Sequence, residues 1–169
     1  MTERIAKSMQ DAISYLTEHP DEARYTDSPA TATLDSGLLF RVEGPDGATI
    51  ISDMPDSVGG TGSAPSPGWF MRAALAACDA TLIAMRAAQE GVLLRQLEVQ
   101  VDSESDDRGI LGMDDAVPAG PLSARVKVKL SSNASEEQLR KIVLWAHDHC
   151  PVSDAIGRAI PMTVEVEAV

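Results

Sequence analysis

Ser66-Pro67-Gly68-Trp69-Phe70-Met71-Arg72-Ala73-Ala74-Leu75-Ala76-Ala77-Cys78 opens a long run that stops at Glu90-Gly91. Ser66 is a good helix cap, Pro67 suits the first helical position, and Gly91 suits the end. Alanine fills positions 73, 74, 76, 77, 80, 84, 87 and 88. So little polar surface over such a length predicts a central, buried helix in close contact with another element. Cys78 lies inside it. The other cysteine lies in His149-Cys150-Pro151-Val152-Ser153, just after a second helical pattern. Two thiols placed where patterning predicts burial are either inert core residues or a working redox pair.

Outward from the central helix, residues 3–19 carry Ile5, Met9, Ala12, Ile13 and Leu16 at helical spacing, closed by Pro20. Residues 20–30 are a polar connector. Thr31–Leu34, Leu38–Glu43 and Ala48–Ser52 read as short antiparallel strands around the turns Asp35-Ser36-Gly37 and Pro45-Asp46-Gly47. Residues 53–67 are rich in Gly, Pro and Ser. Gly59-Gly60-Thr61-Gly62 lacks the lysine of a phosphate loop and reads as a lead-in to the helix.

Val92–Val101 reads as a long strand, and Asp102–Gly109 as an exposed acidic turn whose glycine is misplaced for a calcium loop. Leu122–Leu130 alternates strictly, with Leu122, Ala124, Val126, Val128 and Leu130 on one face. Ser135-Glu136-Glu137-Gln138 opens a capped helix with Leu139, Ile142, Val143 and Ala146 on its apolar stripe. A short helix over Ser153–Ala159 and a last strand, Met162–Val166, complete the pattern.

The 169 residues suit one domain. Apolar residues make up 44% and aromatics only 4%, so the core must be aliphatic and alanine-rich. A net charge of −12 argues against nucleic-acid and anionic-membrane partners. No apolar run approaches the ~20 residues a membrane span needs. Met1-Thr2-Glu3-Arg4-Ile5 lacks the basic and apolar regions of a signal peptide. The expected location is the cytoplasm, where a transient disulfide is usually catalytic or sensory.

The order of elements resembles the OsmC/Ohr family of osmotically inducible and organic-hydroperoxide-resistance proteins. The matching stretches are Gly59-Gly60, Ser66-Pro67-Gly68, Arg72–Cys78, Asp107-Arg108-Gly109, His149–Ser153 and Ile160-Pro161-Met162-Thr163-Val164. The resemblance covers residues 31–169, with residues 1–30 a helical extension and connector. It implies an α+β fold: antiparallel sheets around two central helices in an intertwined homodimer, with sites at the subunit interface. It implies thiol-dependent reduction of organic hydroperoxides, Cys78 as the peroxidatic and Cys150 as the resolving cysteine. A dithiol would be the reductant, with no cofactor and no metal.

A peroxidatic thiolate needs its pKa lowered from ~8.5. In the family an arginine near the first hairpin and a glutamate at the start of the long helix do this together. Here Gly68 and Trp69 stand at the glutamate's position, and Thr31–Gly37 holds no arginine. Arg41, on the return strand, is the nearest basic residue and the candidate electrostatic partner, with Arg24 and Arg72 behind it. Arg72 precedes Cys78 by about 240° of helix and points elsewhere. Asp79, if close to Cys78, would raise a thiol pKa. His147 and His149 read as solvated, and with the two cysteines they do not follow zinc-site spacing. The alternative to the peroxidase is a non-catalytic member of the fold that binds an apolar small molecule at the dimer interface.

Overall fold

The computed structural model describes residues 2–168; Met1 and Val169, the outer ends of the two expected segments, lie outside them. The order is α1 (Thr2–Glu18), β1 (Thr31–Ser36), β2 (Leu39–Glu43), β3 (Thr49–Ser52), α2 (Pro67–Gln89), β4 (Leu94–Glu104), α3 (Asp107–Ile110), β5 (Ser123–Ser132), α4 (Glu136–Asp148) and α5 (Pro151–Gly157). Strands β1, β2 and β3 form one antiparallel sheet, and β4 and β5 a second. The α+β class and the antiparallel sheets agree with the sequence reading.

The β4–β5 ribbon shows why alternation matters. Leu97, Val99 and Val101 pair with Leu130, Val128 and Val126, so like side chains share one face of the pleat. On the other face Glu98 meets Lys129 at 3.1 Å and Asp102 meets Arg125 at 3.0 Å. That pairing carries β4 past Val101 through Glu104, where an acidic turn was expected. Asp106 then caps the short α3 by accepting from the Arg108 N–H.

The apolar face packs on α2 and α4, and the core is Ile83, Ala87, Val92, Ile142 and Ala146. On α2, Leu75, Asp79, Ile83 and Ala87 are all buried and four residues apart. On α4, Ile142 and Ala146 are buried, and Cys150 extends the same four-residue spacing at 0% exposure. Spacing of four keeps each set on one helix face. The two stripes meet antiparallel: Glu90 is bonded to Gln138 near one end and Asp79 to His147 near the other.

By length and composition α2 is apolar enough to cross a membrane, which corrects the reading that no segment comes close. Arg72, Asp79 and Arg86 interrupt it, each with a polar partner, and it packs on β4, α4, α1 and α5 as a core helix. The expected last strand is also corrected. Residues 158–168 run without strand pairing, and Met162, Val164 and Val166 are each more than 80% exposed. A strand needs a partner edge, and this segment has none among the described residues.

Candidate functional site

The lead-in to α2 is organised by one buried aspartate. Asp53, 1% exposed, accepts hydrogen bonds from the backbone N–H of Met54, Thr61 and Ser63 and from both the Thr61 and Ser63 hydroxyls. The hydroxyl of Thr61 is the largest influence holding its carboxyl well below the usual range. Gly60 is required by the same fold-back, since a Cβ there would lie 1.8 Å from the Met54 carbonyl oxygen. Ser66 then caps α2 through the Trp69 N–H.

Cys78 is half-buried on α2, and Cys150 is buried at the N-cap of α5; both are free thiols. Cys78 and Asp79 both neighbour Cys150 closely enough to raise its pKa, and Cys150 Sγ is joined to Asp79 through Ser153 and His147. Burial, then the Cys78 contact and the Asp79 charge, push the Cys150 thiol up to about 12. The Ser153 N–H, donated to Cys150 Sγ at 3.3 Å, works in the opposite direction. The structure thus brings together the two predicted cysteines.

Arg41 is not part of that group within the chain. It pairs with Glu43 at 2.8 Å and Asp35 at 3.7 Å on the hairpin sheet, which packs on no helix of its own chain to any appreciable extent. Arg72 is better placed at the start of α2. Its Nη1 bonds Ser103 Oγ at 3.3 Å and lies 3.9 Å from where a Cβ on Gly68 would stand. Arg72, Gly68 and Met71 line a cavity of about 260 Å³ with Met54, Ile110 and Pro121. Met71 precedes Cys78 by two helical turns, so this cavity opens on the sulfur's side of α2. Trp69, half-exposed, lines the neighbouring cavity with Pro65 and Arg72.

Asp79 raises a thiol pKa as a nearby carboxylate should, but the thiol is Cys150. Its side chain turns away from the solvent side of α2 into the α4 contact, and its Oδ2 lies 3.1 Å from His147 Nδ1. His147 Nε2 lies 3.2 Å from Ser153 Oγ. One neutral tautomer satisfies all three: Ser153 O–H donates to Nε2, and Nδ1–H donates to Asp79. The second carboxylate oxygen, Oδ1, is buried without an aligned donor among the described residues. The order matches hydrolytic triads. The Ser153 N–H also donates to Cys150 Sγ, so the same residue touches both the relay and the sulfur. His149 stays apart, stacked on Trp145 at 4.1 Å and bonded to that residue's carbonyl.

The family model described as "OsmC-like protein" matches residues 60–165. No curated protein matches the chain. Among solved structures, an OsmC-like protein from Mycoplasma pneumoniae aligns with TM-score 0.67 at 16% identity, over 79% of this chain and 89% of that one. An organic hydroperoxide resistance protein from Legionella pneumophila, described as a predicted redox protein, aligns with TM-score 0.54 at 26% identity, over 78% and 89%. OhrB of Bacillus subtilis aligns with TM-score 0.50 at 22% identity, over 78% and 90%. With the family model covering more than half of its length and the same fold in these structures, this chain belongs to the OsmC-like family.

Proposed function

We propose that this protein reduces organic hydroperoxides with Cys78 as the peroxidatic and Cys150 as the resolving cysteine. The observation that supports this most is that the fold makes neighbours of two free thiols from distant parts of the chain. The Cys78 thiolate attacks the distal oxygen of the peroxide: an S–O bond forms, the O–O bond breaks, and the alkoxide leaves with a proton as the alcohol. Cys78 is then a sulfenic acid, which condenses with Cys150 to a disulfide and water. An external dithiol reduces that disulfide by exchange, as the cytoplasm would permit. The Met71 cavity, with Met54 and Ile110 on one hand and Ser105, Asp106, Asp107 and Arg72 on the other, has room at about 260 Å³ for a peroxide larger than hydrogen peroxide.

The working unit in this proposal is a homodimer. Leu34, Ile50 and Ile51 on the hairpin sheet and Met162, Val164 and Val166 beyond α5 are exposed. Pairing of two chains would cover them and carry Arg41 toward a cysteine pair. The test is peroxide consumption with cumene hydroperoxide and dihydrolipoamide, beside Cys78→Ser. Turnover lost in the serine variant supports the reading; equal rates in both would refute it.

A second reading, binding of an apolar small molecule without turnover, is favoured by Trp69 and Gly68 where the family carries a carboxylate. Ligand-induced quenching of Trp69 fluorescence in a protein inert toward peroxide would select it.

A further inference from the structure

We propose that Asp79 is the proton shuttle of the resolving step: its free carboxylate oxygen takes the Cys150 thiol proton and delivers it to the hydroxide leaving Cys78. This rests on the peroxidase reading and assigns a catalytic residue to it. The argument begins with placement. Asp79 occupies a core position in the stripe Leu75, Asp79, Ile83, Ala87, where an aliphatic side chain would pack without penalty. A carboxylate at 1% exposure survives there only if its partners compensate for lost hydration. One oxygen has that partner in His147, backed by Ser153. The other has none aligned to it and is left as an open acceptor.

Cys150 is the group that needs it. Fully buried and receiving a hydrogen bond from the Ser153 N–H, its sulfur is the nucleophile of the second step yet is held as the thiol at neutral pH. Only the thiolate attacks. The atoms balance around one proton. Asp79 accepts H⁺ from Cys150 S–H as the S–S bond to Cys78 forms. The Cys78 S–O bond breaks, and the departing hydroxide takes that proton from the Asp79 carboxyl and leaves as water. Cys78 sulfur is reduced and Cys150 sulfur oxidised, and Asp79 returns to its starting state. Asp79 follows Cys78 on α2 and is tied to Cys150 through His147 and Ser153, so the proposal places one carboxylate between the two sulfurs. His147 and Ser153 are positioning residues that hold the second oxygen.

The test separates the steps. In a peroxide-free arm, reduced protein receives one equivalent of 5,5′-dithiobis(2-nitrobenzoate). Attack by Cys150 on the mixed disulfide at Cys78 releases a second coloured thiolate, so the rate of that second release reads Cys150 deprotonation alone. Asp79→Asn is expected to slow it by about 100-fold or more, the usual range for a lost general base. His147→Ala is expected to slow it about tenfold, with recovery on adding imidazole. In the peroxide arm, dimedone should trap more Cys78 sulfenic acid in Asp79→Asn than in the unmodified protein, formed at the same initial rate. A second release at the unmodified rate in Asp79→Asn overturns the proposal. If that variant fails to fold, an unmodified rate in His147→Ala does so instead. Slow release in the first arm with no sulfenic acid in the second would retain Asp79 as the base for Cys150 and remove the peroxidase reading.

Discussion

Asp79 and His147 meet across the packed faces of α2 and α4, 3.1 Å apart, in a contact otherwise made of Leu75, Ile83, Ala87, Ile142 and Ala146. A buried charge in such a seam is weak evidence for stability, because well-packed apolar replacements often do as well or better. Asp79→Val should therefore unfold in urea within ~1 kcal/mol of the unmodified protein, or later. It should also lose rapid Cys78–Cys150 disulfide formation. A loss of several kcal/mol would mean that the aspartate serves the fold.

Ile142 has no exposed surface and sits at the centre of the core. Ile142→Ala should cost roughly 2–4 kcal/mol, part of it from the cavity left behind. Cys150 continues the Ile142–Ala146 stripe, so its alkylation by iodoacetamide in the native state should accelerate. Peptide mapping of the labelled protein would read this.

The raised Cys150 pKa sets a signed alkaline dependence. Below about pH 9 the thiol is neutral in both folded and unfolded chains, and its contribution is fully present. Between about pH 9 and 12 only the unfolded chain ionises, so stability falls with pH by up to ~1.4 kcal/mol per unit. Denaturation series under a phosphine reductant, taken as the difference between the unmodified protein and Cys150→Ala, should show that slope. A pH-independent difference would remove the assignment.

Asp53 carries the opposite sign. Its carboxyl is held well below the usual range by hydroxyl and backbone donors, so its contribution is present above about pH 4 and lost as pH falls toward the folded value. Asp53→Asn should melt on the order of 5 °C lower at pH 7. The two proteins should converge in melting temperature as the buffer is acidified below pH 4, as calorimetry would show.

Much of this architecture was legible in the chain. The alanine run with its Ser66-Pro67 start and Gly91 stop marks α2, strict alternation marks β5, and the capping box at Ser135 marks α4. Each signal is local. Cys78 and Cys150 were found through their motif surroundings. The Asp79–His147–Ser153 relay escaped because it exists only once two helices cross. The available clue was a charged residue four positions from Leu75 and from Ile83. The angle of Arg72 from Cys78 points it elsewhere, whereas its long side chain reaches back to Gly68 and across to Ser103. The segment Met162–Val166 has the alternation of a strand, but hydrogen-bonded pairing depends on an edge that periodicity does not supply.

The start of α2 leaves open space at Gly68. Beyond the helix's own backbone, a Cβ built there meets only the far end of Arg72 among the described residues, at 3.9 Å. A carboxylate at this position, in the first turn of α2, would also be favoured by the helix dipole. Glycine and glutamate codons can differ by a single base. A carboxylate beside Arg72 is therefore one base change away, and it would make an acid–guanidinium pair within α2 alone, distinct from one built with Arg41 of the hairpin sheet.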